Sequence, residues 1–134
     1  MHKTVLAFDF GLKKIGVAIG NTLLREASPL VIIRSQTRQE RFERIQTLLE
    51  EWKPDILVVG LPLTEEGGEQ FASGHARRFA NQLHGRFHLP VVLVDERGSS
   101  MQAQERLGRH GDEDDMAAAI ILERYFDHYP NEVV

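Results

Sequence analysis

With 134 residues, 42% of them hydrophobic and 27% charged, the chain has the size and balance of one soluble domain spanning residues 1–134, with enough core to need no disulfide or zinc staple. Cysteine is absent, which excludes thiol catalysis, CxxC redox chemistry, iron–sulfur ligation and a disulfide framework. A net charge of −4 excludes a uniformly basic nucleic-acid coat, and no apolar run nears the ~18 residues of a membrane span. The expected location is cytoplasmic, without membrane attachment. Charge is unevenly spread: residues 1–60 carry a balance of +2, residues 61–108 of −1 and residues 109–134 of −5.

Thr4 to Phe10 is a short apolar, β-rich run, and Gly11 to Lys14 is a tight connection to a second strand, Ile15 to Ile19. Connections this short join antiparallel neighbours. Pro29 to Arg34 is a third strand. Gln39 to Trp52 repeats Phe42, Ile45, Leu49 and Trp52 at helical spacing, with Thr37 placed to cap its start and Pro54 to stop it. Asp55 to Gly60 suits a buried parallel strand. Glu69 to Leu83 reads as a second helix with Ala72, Ala76, Phe79 and Leu83 on one face. Val91 to Asp95 is another buried strand. A third helix follows the Ser99 cap, and a last one runs from about Asp114 to Asp127. The expected architecture is α/β: a mixed five-stranded sheet, three antiparallel strands and then parallel ones, with helices on both faces.

In open α/β sheets, sites lie beyond the carboxyl ends of the strands. That rule points to Asp9, to Gly60-Leu61-Pro62 and to Asp95-Glu96-Arg97. Asp9 sits in the apolar run VLAFDFG and either caps the Gly11 turn or serves a site, because a buried carboxylate needs a partner. Strand alternation sends Asp95 and Glu96 to opposite faces, one toward a site and the other toward an arginine. Asp112 to Asp115 precede an apolar helix, where acids favourably meet the helix dipole. Periodicity does not separate Asp114 from Asp115. Converging acids of this kind suit hard divalent cations such as Mg²⁺ or Mn²⁺, which clamp phosphodiester oxygens and invert the sign of an acidic site. The six histidines form no HxH or HExxH pattern, and Gly85 argues against a continuous helix carrying His84 and His88.

The residues DFGLKKIGVAIG, ILVVGLPL, Ala76-Arg77-Arg78-Phe79, PVVLVDER and an Asp-x-x-Ala-Ala segment opening the last helix occur in order along the chain. Together they resemble the YqgF, or RuvX-like, family. The resemblance implies an RNase H-like fold and a metal-dependent hydrolase of phosphodiester bonds. Such proteins are associated with 5′-end maturation of pre-16S ribosomal RNA during ribosome biogenesis and with Holliday-junction resolution. It implies Asp9, Glu96 and Asp114 as catalytic metal ligands, Asp114 being three residues before Ala117. It implies Lys13, Arg77 and Arg97 as contacts to the nucleic-acid backbone. The expected partner is structured RNA, the alternative branched DNA, and the expected state a monomer or weak homodimer. A resolvase cutting symmetrically requires a two-fold dimer. A third alternative is a non-catalytic module that docks on nucleic acid or a transcription complex. The chain departs from the family pattern at Leu12, at Gly98 and in a short Arg109–Glu113 segment.

Overall fold

Both faces of the first strand are apolar because both are covered. A computed structural model describes residues 2–97, 113–127 and 132–133. In it β1 (Thr4–Asp9) turns tightly into β2 (Lys14–Asn21), and β3 (Ala27–Arg34) follows. Helix α1 (Arg38–Trp52) leads to β4 (Ile56–Leu61), α2 (Phe71–Phe87) to β5 (Val91–Asp95), and α3 (Glu113–Asp127) precedes β6 (Glu132–Val133). The sheet order is β3-β2-β1-β4-β5-β6. β1 pairs antiparallel with β2 and parallel with β4, and β4 pairs parallel with β5. The antiparallel-then-parallel design is as expected. The added sixth strand is two residues long and antiparallel to β5, too short to show any periodicity in the sequence. The helix expected after Ser99 lies outside the described residues.

Alternation along β1 sends Leu6 and Phe8 beneath α1 and α2, and Val5 and Ala7 beneath α3. The first layer centres on Phe79, whose ring meets those of Phe8, Phe10 and Phe42 at 5.8, 4.7 and 6.1 Å. Removing such a ring costs about 3–5 kcal/mol. The second layer is built from Ala118, Ile121, Leu122, Tyr125 and Phe126 of α3.

Helix ends follow local chemistry. The Thr37 hydroxyl accepts the Glu40 N–H at 3.1 Å, and Lys53, at φ 47°, closes α1 just before Pro54. Helix α2 runs through Gly85 to a left-handed cap at His88, so the expected break at Gly85 does not occur. A Cβ there would meet nothing within 4 Å, and Phe87 and Leu89 pack on the core. The buried face of α2 carries Ser73, Ala76, Phe79, Ala80 and Leu83, while Ala72 is exposed. Ser73 displaces Ala72 because its hydroxyl donates to the Pro62 carbonyl, which satisfies a polar group inside. Among the described residues no helix is long and apolar enough to cross a membrane.

Candidate active site

The same alternation places the acids. Asp9 lies two residues beyond Ala7, and Glu96 two beyond Val94, so both continue rows that face α3. They stand at the carboxyl ends of β1 and β5, with β4 between. Glu96 is held there by its N–H, which donates to the Leu61 carbonyl at 3.1 Å. Its carboxyl is pushed up to about 9 by burial, by the negative charge of Asp9 and by a hydrogen bond to Asp9. Arg124 opposes this with a smaller downward pull. Glu96 therefore holds a proton at neutral pH and offers it to Asp9. Perturbation of this kind in a facing carboxylate pair marks a site built for a cation or a proton.

Asp95 faces the other way, as alternation requires. Burial pushes it upward, but hydrogen bonds and charge from Arg97 hold it below the usual carboxylate range. The Arg97 guanidinium lies 2.6 Å from Asp95 Oδ2, and its Nη1 donates to the Glu65 carbonyl at 2.9 Å. Arg97 thus clasps the β4–α2 loop to the end of β5. Arg77 pairs with Glu69 at 2.7 Å. Lys13 lies in the β1–β2 turn, where Lys13, Lys14 and Arg34 line a cleft of ≈ 720 Å³. Arg41 supports that turn by donating to the Leu12 carbonyl at 3.0 Å and stacking over Phe10. Gly11 is needed there, because a Cβ would fall 2.6 Å from the Lys14 carbonyl oxygen. Asp114 lies in the first turn of α3, the helix that covers the acid-bearing face. Its side chain, like those of Asp115 and the residues from Gly98 to Asp112, lies outside the described residues.

Two residues join the site that sequence reasoning did not assign. Gly60 lies on the α3 face of β4, between the two acid-bearing strands. A Cβ there would fall 2.7 Å from Glu96 Oε2 and 2.6 Å from Ile121 Cδ1, so the missing side chain is the space Glu96 occupies. Its only signal was the strand-end rule, which does not separate a seat from a turn. Arg124 of α3 donates to the Asp95 carbonyl at 3.0 Å; a lone arginine in MAAAIILERYF was its signal. Gly60→Ala is expected to reduce catalysis about 100-fold, the scale of an ångström's misplacement, and to lower melting by about 4–10 °C, because the buried Ile121 must repack around the added methyl. Turnover and a thermal melt measure the two effects, and unchanged turnover would mean that Glu96 does not need this seat.

The Asp9–Glu96 pair fits a hard cation: two carboxylates face each other in a partly buried place, where a divalent ion would replace the shared proton. Among the described residues no group of three His, Cys, Asp or Glu is gathered to hold a metal.

Over residues 3–128 the chain matches the RuvX family, described as Holliday junction resolvase. A Bordetella parapertussis protein named "Putative pre-16S rRNA nuclease" is 66% identical over 129 residues, covering 96% of this chain and 97% of that one. A Cupriavidus necator protein of the same name is 54% identical over 127 residues, covering 95% of this chain and 90% of that one. Among solved structures, T. thermophilus RuvC in complex with a Holliday junction substrate matches with a TM-score of 0.60 at 15% identity, covering 98% of this chain and 99% of that one. A fowlpox virus resolvase with Holliday junction DNA matches at 0.57 and 14%, covering 92% and 97%. These two likenesses are of fold and place the sheet in the RNase H-like class. The family match and the close relatives both run nearly the whole length, and the chain belongs to the RuvX family.

Proposed function

We propose that the chain is a cytoplasmic, divalent-metal-dependent endonuclease that matures the 5′ end of pre-16S ribosomal RNA. The observation that carries this reading is the proton-sharing Asp9–Glu96 pair seated over Gly60 at the carboxyl end of the sheet. Family membership and the names of the relatives support the substrate.

Asp9 and Glu96 would hold Mg²⁺ or Mn²⁺, with Asp114 at the start of α3 as the proposed third ligand. A bound ion supplies positive charge that acidifies an attacking water and neutralises the phosphate oxygens. Glu96 would give up its proton where an ion is held, and the three acids would act on the scissile phosphate only through that ion's positive charge. Water adds in line to phosphorus as the P–O3′ bond breaks, which leaves a 3′-hydroxyl and a 5′-phosphate. Lys13 and Arg77 position the RNA backbone. Arg97 also serves by holding the turn that presents Glu96, since its guanidinium is engaged with Asp95 and the Glu65 carbonyl.

Wild-type protein is expected to cut a pre-16S 5′-leader RNA with Mg²⁺ or Mn²⁺ and not with EDTA, and Asp114→Asn is expected to lose this. A labelled four-way DNA junction in parallel tests the second reading, which the family's description favours. Symmetric junction cutting by a dimer would replace RNA by branched DNA as substrate. Failure of folded, metal-loaded protein to cut either would leave the binding module.

A further inference from the structure

We propose that Phe71, at the first turn of α2, is a stacking platform for an unpaired base of the nucleic-acid substrate; this rests on the nuclease reading above. Phe71 is 85% exposed, more than Leu12, Leu23, Leu24 or Trp52. A ring left in water forgoes the burial that ordinarily stabilises phenylalanine, and the fold gives no reason for it.

The ring is exposed on a fixed support. The buried Ser73 hydroxyl donates to the Pro62 carbonyl and accepts the Gln70 N–H at 2.9 Å, and the Ser73 N–H donates to the Gln70 carbonyl at 2.9 Å. Pro62 follows the last residue of β4, the strand that seats Glu96 over Gly60. The first turn of α2 is therefore latched to the carboxylate end of the sheet. His75, one turn on, meets the Phe71 ring edge-on, centroids 4.7 Å apart at 81°. It braces the ring and leaves most of it open.

Charge selects which part of a nucleotide comes here. Exposed Glu65 and Glu66 precede the helix, and Glu69 is paired with Arg77. Those acids disfavour a phosphate against the ring but not a base, which presents an uncharged π-face. Arg78, exposed and seven residues along the same side of α2, suits the adjoining phosphate. A base inside a duplex has both faces stacked, so only an unpaired one fits. Phe71 stands at the same end of the sheet as the carboxylate pair, but on the α1–α2 side rather than the α3 side, so the stacked base is one outside the scissile step.

The test measures binding with Mg²⁺ in an Asp9→Asn background, using a short single-stranded leader RNA and the same sequence as a duplex. Phe71→Ala is expected to weaken single-strand binding about 5- to 150-fold, the range of one stacked base, and duplex binding less than about twofold. Melting should be unchanged. Phe71→Trp should restore affinity, with its indole fluorescence quenched by RNA, and Phe71→Leu should not. Equal weakening on both RNAs, or rescue by leucine, would overturn stacking. Unchanged binding by Phe71→Ala would overturn it too and point to a protein contact instead. If neither the Phe71-bearing Asp9→Asn parent nor the wild-type protein with Ca²⁺ in place of Mg²⁺ binds RNA or DNA, the nuclease reading fails and takes this inference with it.

Discussion

Replacing Asp9 by asparagine is expected to lower RNA cleavage by at least ~10³-fold, about 4 kcal/mol of transition-state stabilisation, without loss of the fold. The two side chains have nearly the same shape, so β1 and its apolar neighbours Ala7 and Phe8 stay packed. What is lost is one negative charge and one carboxylate oxygen where a hard cation would be held. The metal-free protein should also become easier to deprotonate at Glu96, since Asp9 raises that group both by its charge and by its hydrogen bond. Single-turnover cleavage and a thermal melt check the two halves. Cleavage within tenfold of wild type would remove Asp9 from the chemistry. The same variant separates catalyst from docking module: if it replaces the wild-type protein in cells, the role in the cell is not cleavage.

Much of this site was legible because period-two alternation carries through both faces of a covered sheet. Once Val91 to Val94 are read as a strand, Asp95 and Glu96 fall on opposite sides; that Glu96 is the one to join Asp9 came from the family resemblance and is seen in the fold, where Ala7 and Val94 share the α3 face. The pairing of Asp95 with Arg97 follows from that separation. The role of Gly60 was not legible. A glycine ending ILVVG reads equally as a turn, and only the positions of Glu96 and Ile121 reveal what a methyl group would strike. The face of α2 was misread by one residue. Alanine is a better helix-face residue than serine by hydrophobicity, and only the Pro62 carbonyl, eleven residues away, makes burying Ser73 favourable. Family resemblance, rather than periodicity, singled out Asp114 over Asp115; the structure locates both on α3 without describing their side chains.

These points bear on one another through β4. The strand passes between two acids, lacks a side chain where Glu96 lies, accepts the Glu96 N–H at Leu61, and continues into the loop that Arg97 and Ser73 tie down. The two ties serve different ends. Arg97 fixes the loop to β5 and so the turn that presents Glu96, while Ser73 fixes the start of α2. A change in Arg97 should therefore act on catalysis even though its guanidinium is already engaged.

Glu96→Gln is expected to stabilise the metal-free protein at about pH 8 while abolishing metal-dependent cleavage. The folded carboxyl titrates at about 9, above the ordinary glutamate value of 4.5. Between those values the folded state retains a proton that the unfolded state releases, so the contribution of Glu96 to stability is greatest below 4.5 and declines as pH rises toward 9. The wild-type melting temperature without metal should therefore fall across this interval. Glutamine preserves the neutral form and its N–H donor to Asp9, which removes the slope and raises melting by ~5 °C at the alkaline end. Mg²⁺ or Mn²⁺ should reverse the trend in wild type, because the cation binds the deprotonated pair and releases about one proton. Metal affinity then rises with pH until Glu96 is ionised, and calorimetry in buffers of different ionisation enthalpy counts that proton. A wild-type melting curve flat with pH, or one parallel to that of Glu96→Gln, would mean that the two carboxylates are not coupled in the folded chain. The expected combination is a variant more stable and less active than its parent, because the metal-free fold must hold Glu96 protonated above its ordinary range, a cost that glutamine removes and that a cation offsets by binding the ionised pair.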